Sequence, residues 1–454
     1  MSVHQGISAL RVAVLGAGPI GLEAALYGAR LGHQVLLIER GGIGEAVQSW
    51  GHVRMFSPLH MNVSPLGRAL LAAQGRPPLA DASCLTGGEY VGAYLLPLSQ
   101  DPLLAGRLRL HTRAVAIGKS GLRKGDLIGQ AARGERPFRL LTEDAHGEHV
   151  LTADVVLDCT GTYGSPSAIG AGGIAAPGER WLGERLIRHL PDVRGKHRAR
   201  FARRRVLLVG AGLSAATTMV ELAALCAEEP RTRVVWSVRR DLALPYTPIA
   251  DDALPARAAL HAGANRIAEQ GRAGEGPIHY RPGTSVDCIS AEGHQLRVRL
   301  VRSEPRPDGI SVGVSVGVSV GASADSAPPA DADAALGESA GASESSPAEL
   351  FDEVIGLTGY GPERDLYREL QVHECYASLG PMRLAAALLG ASGDCLAQPS
   401  LGPEVLKNPE PRFFILGAKS YGRNSAFLLQ HGLEQVRGAY ALLHGDPSLD
   451  LYGG

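Results

Sequence analysis

Between an apolar run, Arg11-Val-Ala-Val-Leu15, and a segment with helical spacing, Leu22 to Arg30, the chain reads Gly16-Ala-Gly18-Pro19-Ile-Gly21. A second apolar run from Gln34 ends on Glu39, followed by Arg40. Strand, glycine turn, helix and strand in this order predict a β-turn-α-β unit. Gly16 allows the tight turn, Gly18 lets backbone approach a pyrophosphate, and Gly21 lets helix and strand pack closely. The helix N-terminus offers unpaired N–H groups to phosphates. Glu39 lies where a carboxylate takes both hydroxyls of an adenosine ribose. Gly16, Gly18, Pro19, Gly21, Glu39 and Arg40 are therefore candidate dinucleotide ligands. The bland alternative is a glycine-rich turn that binds nothing.

The pattern recurs. A strand at Arg203–Val209 leads into Gly210-Ala-Gly212-Leu-Ser214-Ala215, a helix from Ala216 to Glu228, and a strand from Arg233 ending on Arg239-Arg240. Two arginines in place of the acid suit a ribose 2′-phosphate, which an acid would repel. The second site is expected to prefer NADPH through Gly210, Gly212, Ser214, Ala215, Arg239 and Arg240. The alternative is that both arginines are solvated strand-end charges. Two nucleotide folds in one chain point to one for a bound flavin, FAD, and one for its reductant.

Two further segments match each other: Asp154-Val-Val-Leu-Asp-Cys-Thr160-Gly161-Thr-Tyr163 and Asp352-Glu-Val-Ile-Gly-Leu-Thr-Gly-Tyr360. Each reads as a buried strand closing on Thr-Gly after a β-rich stretch. Residues 303–349 carry a Val/Gly/Ser repeat and an Ala/Ser/Asp/Pro-rich run, read as a low-complexity surface insert without chemistry. The last block, Pro411 to Val436, reads as a strand, a loop containing Gly417, and a helix from Asn424 or Ser425. Its N-terminus would favour negative charge.

Of 454 residues, 45 are Lys or Arg and 46 are Asp or Glu, a net charge of −1 that gives no footprint for nucleic acid or anionic membrane. No apolar run is long enough to span a membrane, and no secretory signal is read at the start. The six cysteines, at 84, 159, 226, 288, 375 and 395, show no CxxC spacing. They imply free thiols and a reducing, cytoplasmic location. No metal-ligand spacing occurs.

The order GAGPIG…IE, DCTGTYG, GAGLSA…VRR, GLTGYGP and FFILGAKSYG resembles the flavoproteins with two dinucleotide-binding domains, which include thioredoxin-reductase-like enzymes and flavin-containing monooxygenases. The resemblance implies an α/β fold of two Rossmann-like three-layer domains, the NADPH domain inserted into a discontinuous FAD domain. The expected parts are 8–165, 166–361 and 362–454. It adds Arg54, Thr160, Gly161 and Gly417 to the FAD ligands.

Departures from the family pattern bear on the subclass. The redox CxxC or CxxxxC of the disulfide reductases is absent. Trp181, Gly183, His189 and Val193 form a degenerate version of the monooxygenase FxGxxxHxxx(F/W) pattern, and Asp352 to Tyr360 approaches the N-hydroxylase D-xxx-(L/F)ATGY pattern. Ala418-Lys419 stands where an Asp usually follows the glycine, so that contact must come from elsewhere. Trp50 to Asn62 mixes aromatic and hydrogen-bonding groups and reads as a flavin-edge and substrate wall, or else as a polar surface loop. The expected activity is oxygenation of an N, S or ketone centre in a small molecule, with O2 and NADPH. The alternatives are electron transfer from NADPH to a small acceptor, and a flavin-binding sensor. No catalytic acid or base stands out.

Overall fold

A computed structural model describes residues 8–302, 347–391 and 394–453. The fold is mixed α/β, organised around two parallel five-stranded sheets. The first contains β1 (Arg11–Leu15), β2 (Gln34–Ile38), β3 (Leu108–Arg109), β7 (Val155–Asp158) and β16 (Phe413–Ile415), in the order β16-β7-β1-β2-β3. Every residue of β7 and all but the first of β1 are buried, the near-continuous apolar character of strands covered on both faces. The Pro19–Arg30 helix covers one face and buries ten of its twelve residues, because the Leu429–His444 helix packs over it in turn. Tyr27 stacks on Tyr440 across that contact, ring centroids 5.3 Å apart. A three-stranded antiparallel sheet of β4 (Arg113–Lys119), β5 (Phe138–Asp144) and β6 (Gly147–Ala153) precedes β7.

The second sheet repeats the plan with β8 (Leu186–Ile187), β9 (Arg205–Val209), β10 (Arg233–Val238), β11 (Ile278–Pro282) and β15 (Glu353–Gly356), in the order β11-β10-β9-β15-β8. The helices Leu213–Glu228 and Pro255–Arg272 pack on it and on each other. An antiparallel sheet of β12 (Thr284–Glu292), β13 (Gln295–Arg302) and β14 (Glu349–Phe351) precedes β15.

The chain passes between the two sheets twice, and the two crossings lie side by side. The Ser167 N–H donates to the Gly359 carbonyl and the Gly361 N–H to the Ser165 carbonyl, each at 2.9 Å. Pro166 and Tyr360 form an antiparallel bridge.

Three local expectations need correction. The second-unit helix starts at Leu213, not Ala216, because extended Gly212 is itself the N-cap. The C-terminal helix starts at Leu429, later than Asn424 or Ser425. Asn424 instead closes a local turn, its Oδ1 accepting from Ala426 N at 2.9 Å. Most of the expected insert, residues 303–346, lies outside the described residues. Its last residue, Glu349, belongs to β14, and its carboxylate pairs with Arg205 and Arg281.

Candidate cofactor groove and interdomain cavity

A groove of about 600 Å³ runs along the C-terminal edge of the first sheet. Gly16, Gly18, Pro19, Glu39, Arg40, Thr160, Gly161 and Gly417 all line it. Gly16 has φ +94°, and a Cβ there would lie 2.7 Å from the Cys159 carbonyl oxygen. Gly18 is the extended N-cap of the Pro19–Arg30 helix, and a Cβ there would meet nothing within 4 Å, so its backbone faces open space. Gly21 lies beneath, where a Cβ would fall 1.8 Å from the Gly16 carbonyl oxygen. The Glu39 carboxylate accepts from Ala17 N at 2.7 Å and Gly41 N at 2.9 Å, which holds it at the groove while each oxygen keeps acceptor capacity. Arg40 is exposed and lies against Gly164.

Thr160 lines the groove, but its polar groups turn inward. Its hydroxyl donates to Asp158 Oδ1 at 2.7 Å, and its N–H points to the same oxygen at 3.1 Å. Lys419 completes this cluster: its ammonium donates to Asp158 Oδ2 at 2.6 Å and to the Thr160 hydroxyl at 2.9 Å. Lys419 is thus a buried brace under the groove floor, and the lining at this point comes from Gly417 and Ala418. The sequence signal was the Lys beside Gly417; its partner on β7 shows only once β16 pairs with β7 and sets Ile415 opposite Asp158. The Gly417 N–H donates to Gln435 Oε1 at 2.8 Å.

From the groove a second cavity, of about 850 Å³ and mostly apolar, extends to the second sheet's helices. Trp50, His52, Arg54, Met55 and Phe56 form one wall, and Leu213, Ser214 and Thr217 another. Arg54 is therefore on this cavity and not in the groove; its guanidinium bonds to the Cys84 carbonyl and lies 3.6 Å from Glu89. Ser57 and Asn62 hydrogen-bond to each other, so that part of the wall is internally satisfied.

At the second glycine turn, Gly210 has φ +132° and donates its N–H to the Ser237 carbonyl at 3.1 Å, joining the turn to β10. Gly212 again opens on free space, and fully buried Ala215 occupies the position of the third glycine. Arg239 and Arg240 follow the end of β10 at this same sheet edge, both exposed.

Of the degenerate monooxygenase pattern, Trp181 is 91% exposed and Val193 is buried in the second core, so the structure does not bring its aromatic and His189 together. His189 instead stacks on Tyr163, ring centroids 4.5 Å apart, and Tyr163 on Tyr360 at 4.8 Å. Burial, helped by Arg188 and Arg40, lowers the His189 pKa and favours the neutral ring. Nothing in the sequence pairs these three residues; the antiparallel crossings do. All six cysteines are free. Cys159 lines the groove, but burial, and then Asp158, holds its pKa well above the usual thiol value, so it stays protonated.

This fold is that of the FAD/NAD(P)-dependent oxidoreductases with two dinucleotide-binding domains. Residues 11–43 match the family model for pyridine nucleotide-disulphide oxidoreductases. No curated protein matches the chain significantly. Among solved structures, the chain is similar to the bacillithiol disulfide reductase Bdr (YpdA) from Bacillus cereus, with TM-score 0.60 and 16% identity over 96% of this chain and 99% of that one. It is similar to DfoA, an FAD-bound cadaverine monooxygenase from Erwinia amylovora, with TM-score 0.59 and 11% identity over 98% and 96%. A third similar structure is the ornithine N-hydroxylase KtzI from Kutzneria sp. 744, with TM-score 0.51 and 14% identity over 96% and 99%. At these identities the likeness is one of fold. Among the described residues, no helix is long and apolar enough to cross a membrane, and no cluster of His, Cys, Asp or Glu could hold a metal.

Proposed function

We propose that the chain is an FAD-dependent, NADPH-using oxidoreductase that oxygenates an N, S or ketone centre of a small organic molecule, with O2 as co-substrate. The groove residues fit FAD: backbone at Gly18 is open to a pyrophosphate, the helix N-terminus faces it, and the Glu39 carboxylate is held for a ribose. The second turn fits NADPH, with Gly212 open and Arg239 and Arg240 exposed at the strand end for a 2′-phosphate. When bound, the flavin accepts hydride from the nicotinamide and supplies the electrons for the next step. The protein's part is to hold the two rings and a substrate together and to exclude water.

The observation that carries the oxygenase reading is the cavity itself. It joins the groove to the second glycine helix, its walls are mostly apolar, and no cysteine lines it. A small apolar substrate fits such a site better than a dithiol relay does. The competing reading, a reductase without an oxygenating step, is supported by the broken monooxygenase pattern around Trp181 and His189.

Rapid mixing of the anaerobically NADPH-reduced protein with oxygenated buffer separates the two. The expected result is a long-lived transient spectrum unlike either oxidised or reduced flavin. Direct return to the oxidised spectrum, with one peroxide released per NADPH, would overturn the oxygenase reading in favour of the reductase.

A further inference from the structure

A third arginine stands at the end of β10. Asp241 follows Arg239 and Arg240 in the chain, and its Oδ2 lies 3.5 Å from Nη2 of Arg302, the last residue of β13. Arg302 comes to this corner from 61 residues away, by strand register. β13 runs antiparallel to β12, and the pairing sets Arg302 opposite Thr284, the first residue of β12. That end of β12 is fastened to the end of β10. The Gly283 N–H donates to the Arg240 carbonyl at 3.1 Å, and the Ser237 and Thr284 hydroxyls are 2.8 Å apart. A Cβ at Gly283 would come within 3.2 Å of the Asp241 side chain, so the two loops pack closely.

The Arg302 side chain is 84% exposed, and its contact with Asp241 engages one of five N–H donors. An ion pair this open contributes little to stability, so the fold does not depend on it. At the nucleotide site it has a clearer effect. Asp241 alone would oppose an anion bound beside Arg239 and Arg240. Arg302 offsets that charge and brings a further guanidinium edge to the same corner, suited to phosphate oxygens.

We propose that Arg302 is a specificity-determining residue of the second nucleotide site. Its guanidinium donates to the 2′-phosphate of NADPH together with Arg239 and Arg240, and Asp241 holds it in place. The inference rests on the reading of this strand end as the 2′-phosphate site.

The test is the rate of anaerobic flavin reduction by NADPH and by NADH in the FAD-loaded protein, which needs no second substrate. Arg302→Ala should raise the half-saturating NADPH concentration about tenfold, as loss of one charge-assisted contact does, and leave that for NADH within about twofold. An unchanged NADPH value would overturn the proposal. An equal rise for both nucleotides would overturn it too, because the contact would then fall on a part that both share. The double variant Arg239→Ala, Arg240→Ala separates this from failure of the site itself. If it also leaves the NADPH/NADH ratio unchanged, the strand end is not the 2′-phosphate site. If it moves the ratio while Arg302→Ala does not, Arg302 alone is excluded.

Discussion

The Lys419 ammonium sits 2.6 Å from Asp158 Oδ2, with both side chains wholly removed from solvent. One residue follows the last strand of the first sheet and the other ends β7, so the pair ties the returning C-terminal segment to the strand that leaves for the second sheet. The same ammonium reaches Thr160, which fixes the loop that lines the groove.

Lys419→Met should therefore strand a buried carboxylate and destabilise the protein by about 3–5 kcal/mol. Adding Asp158→Asn should restore much of that loss, since removing both charges avoids the uncompensated one. Urea unfolding of the two single variants and the double variant checks this. Additive losses would mean that the ion pair is not coupled.

Gly18→Val should yield folded protein without flavin. The backbone there is extended, which valine accepts, and a Cβ meets nothing in the protein, so the side chain obstructs only the groove. Gly21→Ala should instead fail to fold normally, because its Cβ falls on the Gly16 carbonyl oxygen. Absorbance at flavin wavelengths and circular dichroism distinguish the two. Yellow Gly18→Val protein would remove the groove as the flavin site.

Replacing Arg239 and Arg240 by Ala should raise the KM for NADPH by at least tenfold while barely moving that for NADH, since a hydrogen bond to a charged group contributes about 1.5–3 kcal/mol. Steady-state kinetics with both nucleotides gives the ratio. An unchanged ratio would leave the arginines as solvated strand ends.

Glu23 gives a pH signature. It is fully buried on the first helix, with Oε2 accepting from the Ser64 hydroxyl at 2.8 Å, and burial pushes its pKa up to about 7. The folded state thus keeps a proton that the unfolded chain releases near its ordinary value of 4.5. Stability should fall as pH rises from about 4.5 to 7 and level off above, by about 3 kcal/mol in all. Glu23→Gln should flatten this fall. Denaturant midpoints measured from pH 5 to 8 give the curve, and a wild-type profile without the fall would mean that Glu23 ionises freely.

Excising residues 311–346 should leave the flavin spectrum intact. The flanking strands β13 and β14 are adjacent and antiparallel, with Val298 opposite Glu349, so the loop left between Arg302 and Glu349 has only a small gap to close. Loss of flavin from the shortened chain would make the insert structural.

The two glycine turns were legible in the sequence because their constraints are local: strand, turn and helix start within a few residues, and a Cβ at Gly16 or Gly210 meets backbone. The paired Thr-Gly strand ends were legible as duplicates for the same reason. The start of the last helix was misplaced because Asn424 is a good cap that closes a shorter turn, while the helix itself begins behind extended Leu428. That Arg54 lines the second cavity, with its guanidinium bonded to the Cys84 carbonyl and beside Glu89, depends on contacts 30 residues apart that no local pattern carries. Neither the Lys419–Asp158 brace nor the Tyr163–His189–Tyr360 stack has a local signature, since each joins residues from distant parts of the chain.

The side-by-side crossings at Ser165–Ser167 and Gly359–Gly361 clasp the chain where it enters and leaves the second sheet. A second clasp lies far from them: Arg257 on the Pro255–Arg272 helix pairs with Asp394, and Leu254 packs with Met61, Cys395 and Leu428. Two separated clasps resist rotation about either one, so the cavity between the glycine turns keeps a fixed width.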